Sequence, residues 1–175
     1  LSKKYNPLFD SKARYFIITG GRGSGKSFAV TVFLTLLTMS RGIRVLFTRF
    51  TMTSAHLSII PEFLEKIGLL GFDETFSINK SEVVNAKNKS DILFRGIKTS
   101  AGNQTASLKS LQGISTWVLD EAEELVDENI FDTIDLSIRE KNIQNRVILI
   151  LNPVTKEHWI YKRFFEDKGV EGGFN

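Results

Sequence analysis

Tyr15-Phe16-Ile17-Ile18-Thr19-Gly20-Gly21-Arg22-Gly23-Ser24-Gly25-Lys26-Ser27 is the stretch on which the fold turns. Its first five residues are a compact, β-rich run that suits a buried strand, and the last eight match G-x-x-x-x-G-K-[ST] at every fixed place. Beyond them Phe28, Val32, Leu36 and Met39, flanked by Phe33 and Leu37, recur at helical spacing until Arg41-Gly42 offers a stop. A strand, a glycine turn and a helix in that order make a phosphate cradle. The glycines permit a tight loop whose amide hydrogens converge on phosphate oxygens, and the start of the helix adds its positive dipole end. Residues 20–28 are the expected nucleotide-binding segment. Lys26 reaches the terminal phosphates, and the Ser27 hydroxyl ligates the Mg2+ ion that accompanies them. The competing reading, a flexible glycine turn with a chance lysine, requires the flanking strand and helix to be accidental too.

Outward from the cradle, apolar runs of strand length alternate with helical periods, which predicts an α/β domain with a mostly parallel central sheet flanked by helices. Ile43 to Thr48 reads as the second strand. Ser54 to Leu70 reads as a helix in which Pro61, lacking an amide donor, either starts a new segment or makes a kink, with a break expected near Ile60. Thr75 to Ile78, Val83 to Asn85 and Asp91 to Phe94 read as a small antiparallel accessory. Thr99 to Lys109, polar and rich in small residues, reads as a mobile loop. Ser115 to Leu119 and Arg146 to Leu151 are strong strands around a helix near Asn129 to Ile138, and Trp159 to Phe165 reads as helical. There is no internal repeat and no linker, so residues 1–175 are expected to form one domain.

Trp117-Val118-Leu119-Asp120-Glu121 is an apolar strand ending in adjacent carboxylates. Asp120 is expected in the Mg2+ shell, with Glu121 orienting and deprotonating the water that attacks the γ-phosphate. That pair implies hydrolysis as well as binding. Acids also cap helices, a role open to Glu123 and Glu124. Ile148 to Leu151 ends in Asn152-Pro153, where a parallel sheet places ligand-facing groups. Asn152 either bonds the attacking water or the γ-phosphate, or simply ends the strand as a turn residue. Arg22 is the nearest cation for the developing charge, with Lys109, Arg139 and Arg146 as alternatives from a neighbouring subunit. His56 and His158 are too isolated to suggest a metal site.

Composition narrows the classes. The 175 residues are 42% hydrophobic and 25% charged, with no Cys, so disulfides, thiolate catalysis and cysteine-held zinc are excluded. No apolar run reaches the ~18 residues of a membrane span, and Leu1 to Lys4 lacks the regions of a secretory signal. The net charge of +3 is segregated. Residues 1–49 hold nine Lys or Arg against Asp10, residues 120–140 hold nine acids against Arg139, and residues 80–109 hold six Lys or Arg against Glu82 and Asp91. The last segment is either a seat for an anionic polymer or a set of solvated loops.

The ordered motifs resemble the ATPase domain of tailed-phage terminase large subunits. The resemblance runs through Tyr5-Asn6-Pro7-Leu8-Phe9, Arg14-Tyr15, the cradle with Arg22, Phe47-Thr48-Arg49 and Ser110-Leu111-Gln112-Gly113-Ile114. It continues through Leu119-Asp120-Glu121-Ala122-Glu123-Glu124 and Leu151-Asn152-Pro153 to His158-Trp159-Ile160-Tyr161. It implies an ASCE-type P-loop NTPase fold, ATP and Mg2+ as ligands, and translocation of double-stranded DNA by a homo-oligomeric ring on the phage portal protein. The small terminase subunit would be a further partner, in the host cytoplasm and away from membranes. It also implies adenine contacts from Tyr5 and Phe9, an arginine finger in cis at Arg22, and coupling through Asn152. Lys109 lies near the place of a trans finger, although an ammonium does not reproduce a guanidinium fork. Such subunits normally continue into a nuclease, which is not expected in this chain. The alternative is another P-loop ATPase, or a kinase acting on a substrate other than DNA.

Overall fold

The computed structural model describes residues 1–52, 59–99, 102–103 and 105–169. In chain order its elements are α1 (Pro7–Asp10), β1 (Tyr15–Thr19), α2 (Lys26–Leu37), β2 (Arg44–Thr51), α3 (Ile59–Leu69), β3 (Phe76–Ile78) and β4 (Glu82–Asn85). β5 (Asp91–Thr99), β6 (Gly102–Asn103), α4 (Thr105–Lys109), β7 (Thr116–Asp120), α5 (Glu128–Asp135), β8 (Arg146–Leu151) and α6 (Trp159–Phe164) follow. The strands form one sheet in the order β1-β8-β7-β2-β5-β4-β3, with β6 on β5. β1, β8, β7, β2 and β5 run parallel, whereas β3, β4 and β6 are antiparallel additions.

Buried parallel strands must be apolar on both faces, and alternation then divides their side chains between two layers. Val45, Phe47, Val118, Ile148 and Ile150 join Val30, Phe33 and Leu34 of α2 and Phe63 and Ile67 of α3 in one cluster. Leu46, Trp117, Leu119, Val147, Leu149 and Leu151 join Leu108 of α4, Phe131 and Ile134 of α5 and Trp159 and Ile160 of α6 in the other. Two buried polar groups between the layers satisfy one another. The Trp117 indole donates to Thr48 Oγ1 at 2.9 Å, and that hydroxyl donates to the Val118 carbonyl at 3.0 Å. Arg14 and Tyr15 donate to Asp135 of α5 at 2.7 and 2.8 Å, tying β1 to that helix.

The parallel sheet flanked by helices is the expected architecture, and two local expectations change. The Asp91 strand is not part of an accessory: β5 continues to Thr99 and pairs in parallel with β2. Gly96, which interrupts the apolar run, suits a close backbone approach, because a Cβ would stand 3.0 Å from the Met52 backbone nitrogen. Pro61 is the third described residue of α3, and the break expected near Ile60 adjoins residues outside the described ones. The expected start of that helix at Ser54, and His56, lie outside the described residues. The segment read as a mobile loop holds β6 and α4, with Ser100, Ala101 and Gln104 outside the described residues. Among the described residues no helix is long and apolar enough to cross a membrane.

Phe63 is 1% exposed and meets Phe47 and Phe94 edge-on, at ring-centroid distances of 5.6 and 5.1 Å. Phe63→Ala is expected to cost about 3–5 kcal/mol, read as a lowered urea midpoint with unchanged slope.

Candidate active site

Parallel register brings four strand ends to one edge. Thr19 is level with Leu151, Asp120 with Ile150, and Thr48 with Leu119. The cradle after β1, Asn152 after β8, the acids ending β7 and Arg49 near the end of β2 therefore converge. They line a cleft of about 380 Å³ that contains Arg22 to Phe28, Arg49, Asp120, Glu121, Glu123 and Asn152.

Within the cradle, Gly23 and Gly25 have φ of 75° and 80°, a region that costs an L side chain roughly 1–2 kcal/mol. Gly25 is the N-cap of α2, so the left-handed residue turns the chain directly into the helix. The Lys26 ammonium donates to the carbonyls of Gly20 and Gly21, the latter at 3.0 Å, and lies 3.4 Å from Ser24 Oγ and 3.5 Å from Asn152 Oδ1. Tyr5 donates its hydroxyl to the Ser24 carbonyl at 3.2 Å. A second cavity of about 460 Å³ borders the same loop, lined by Tyr5, Leu8, β1, Gly20, Gly21 and Ser24. Phe9 lines neither cavity; its ring packs edge-on against Phe33 at 5.1 Å. Lys109, Arg139 and Arg146 are also outside the cleft, and Arg146 starts β8 at the opposite edge of the sheet.

The two acids share one cation. Arg49 Nε and Nη2 donate to Asp120 Oδ2 at 2.8 and 2.7 Å, and Nε lies 3.7 Å from Glu121 Oε2. Asp120 is buried, so this guanidinium offsets a charge that water does not reach. Burial pushes the Glu121 carboxyl above the ordinary carboxylate range; Arg49 opposes that shift and the Asp120 charge adds to it. Glu121 adopts φ 54° and ψ 45°, which turns its side chain sharply out of the strand. Glu123 caps no helix: Asp127 caps α5, accepting from the Asn129 amide at 3.0 Å. Glu123 instead accepts from Asn152 Nδ2 at 2.7 Å.

Among the described residues no group of three or more His, Cys, Asp or Glu converges as a metal cluster. Ser27 and Asp120 nevertheless place two hard oxygen donors on one cleft. That set fits Mg2+, which takes one or two protein oxygens and completes its shell with phosphate and water. Arg49 and Glu123 are site residues that the sequence reading did not assign. The signal for Arg49 was available, since Phe47-Thr48-Arg49 is an apolar run ending in a polar residue at the carboxyl edge, as for Asn152.

A family described as phage terminase large subunit matches residues 12–172. No curated protein sequence matches the chain. Among solved structures, the large terminase of a thermophilic bacteriophage is similar with a TM-score of 0.73 and 14% identity, covering 95% of this chain and 42% of that one. The same phage protein has been solved with ADP and with ATP-γ-S. The N-terminal domain of the DNA packaging ATPase from bacteriophage phi29 is similar with a TM-score of 0.67 and 18% identity, over 93% of this chain and 86% of that one. These likenesses establish a shared fold, and this chain spans about two fifths of the length of the thermophilic phage's terminase.

Arg49→Ala removes the cation from buried Asp120 and is expected to lower stability by about 3 kcal/mol in urea unfolding. Added Mg2+ should return part of that loss by binding the freed carboxylate; equal midpoints in wild type and variant would contradict the pairing.

Proposed function

The chain belongs to the phage terminase large-subunit family, and we propose that it is a Mg2+-dependent ATPase domain that drives double-stranded DNA into a phage procapsid. The observation that carries this reading is the single cleft in which the glycine cradle, the acids ending β7 and Asn152 meet. Amides of the cradle and the Lys26 ammonium bind the triphosphate, whose anionic oxygens take over from the carbonyls of Gly20 and Gly21. The second cavity, closed by Tyr5, receives the adenine. Ser27 and Asp120 hold Mg2+, which when bound offsets the charge of the β- and γ-phosphates. Glu121 takes the proton of the attacking water, and its raised proton affinity suits a base. Arg22, exposed at the mouth of the cleft, supplies positive charge to the γ-phosphate in cis.

The basic residues between 80 and 109 contact DNA phosphates without reading sequence, which makes the affinity salt-sensitive. The motor works as a homo-oligomeric ring on the portal protein with the small terminase subunit, in the host cytoplasm. A similar chain belongs to the phi29 viral genome packaging motor assembly, which supports a role within a packaging motor; it has a TM-score of 0.67 and 16% identity, over 100% of this chain and 52% of that one.

Phosphate release from ATP with Mg2+, stimulated by DNA, tests the proposal. Glu121→Gln is expected to lower kcat by about 10²–10⁴-fold while a fluorescent ATP analogue still binds, whereas Lys26→Ala loses binding and turnover together. Full hydrolysis by Lys26→Ala, or phosphate transfer to a metabolite in place of water, would sink it.

A further inference from the structure

We propose that Glu123 is a positioning residue for this hydrolysis: its carboxylate fixes the Asn152 amide with the carbonyl oxygen facing the cleft, and its backbone links that amide to α6 through His158. The proposal rests on the ATPase reading above.

An asparagine amide can present either a donor or an acceptor, and its neighbours decide which. A carboxylate only accepts, so the Asn152 atom 2.7 Å from Glu123 Oε1 is the nitrogen. An ammonium only donates, so the atom 3.5 Å from Lys26 Nζ is the oxygen. Both neighbours dictate the same orientation. Asn152 therefore offers the cleft an acceptor, which can hold a hydrogen of the attacking water but cannot donate to a phosphate. Glu123 is free for this task because Asp127 caps α5. Its second oxygen, Oε2, is buried with no hydrogen-bond partner among the described residues. Such a half-satisfied carboxylate costs stability, a cost that a role in the cleft would offset.

The outward link is equally direct. The Glu123 carbonyl lies 3.1 Å from His158 Nε2. His158 Nδ1 accepts from the Ile160 amide at 3.2 Å and so caps α6, which leaves the ring proton on Nε2 to be donated to Glu123. Trp159 donates to the Leu125 carbonyl. The turn 121–125 and the first turn of α6 are consequently tied at two points.

Glu123→Gln keeps the shape but offers a donor as readily as an acceptor, so it no longer sets the amide. Expected is a fall in kcat of about 10–100-fold with KM for ATP and affinity for ADP within about twofold of wild type. Glu123→Asp, which keeps the carboxylate, recovers most of the loss. Hydrogen exchange at the amides of residues 158–162 should differ between ADP and ATP-γ-S in wild type and become equal in Glu123→Gln. The Asn152 side-chain NH2 resonance should shift in Glu123→Gln and stay put in Glu124→Gln, a readout independent of turnover. A wild-type kcat in Glu123→Gln, a KM that rises as kcat falls, equal losses in the Asp and Gln variants, or an unmoved NH2 resonance would each overturn the proposal. A wild type that releases no phosphate, together with the resonance shift in Glu123→Gln, would refute the ATPase reading and leave the positioning contact standing.

Discussion

A slip of one residue between β8 and either neighbour would carry Asn152 away from Lys26 and Glu123 and turn the apolar side chains of Arg146–Leu151 to the wrong faces. The register is held because Val147, Leu149 and Leu151 fit only one layer, and Ile148 and Ile150 only the other. The chemistry of the cleft is thus specified by burial several residues away from it. The same constraint explains the strand order. With β8 inserted between β1 and β7, the cradle and the acids stand two strands apart, which leaves a gap that Asn152 and Glu123 bridge.

Charge in that gap is arranged as a set of exchangeable pairs. Arg49 neutralises Asp120, and Lys26 rests on the carbonyls of its own loop and near Asn152. Each cation already has oxygen partners, so a phosphate ligand competes for existing contacts and does not merely add new ones. Differences between competing contacts are small compared with their totals, and such a site is easily tipped by a ligand that favours one arrangement. The ties from Glu123 and Leu125 to α6 give that preference a route out of the cleft.

Much of this was legible in the chain. Tyr15 to Leu37 announces itself because glycine conformation, phosphate chemistry and helical period coincide there, and β7 and β8 are plain because their apolar runs are unbroken. Asp120, Glu121 and Asn152 were found at strand ends, where local sequence suffices. What escaped depends on neighbours distant in sequence. Arg49 matters only once β2 is known to lie beside β7. The sequence reading ends the Asp91 strand at Phe94 because the close neighbour of Gly96, the Met52 backbone just after β2, is distant in sequence. Glu123 was hidden in an acidic run whose obvious use was helix capping. Phe9, an adenine contact by resemblance, packs edge-on against Phe33 and lines neither cavity. His158 read as an isolated imidazole, and its worth as a cap and a tie appears only with α6 in place.

The left-handed backbone of Glu121 sets a limit on how this domain can be hardened against heat. Glycine there would relax the peptide, by roughly 1 kcal/mol, and asparagine would tolerate it, but neither carries the carboxylate proposed as the base. Thermal tolerance gained at that residue would be bought with turnover. An engineer seeking a sturdier version should leave the peptide after Asp120 alone and work on exposed apolar positions such as Leu69 and Leu136.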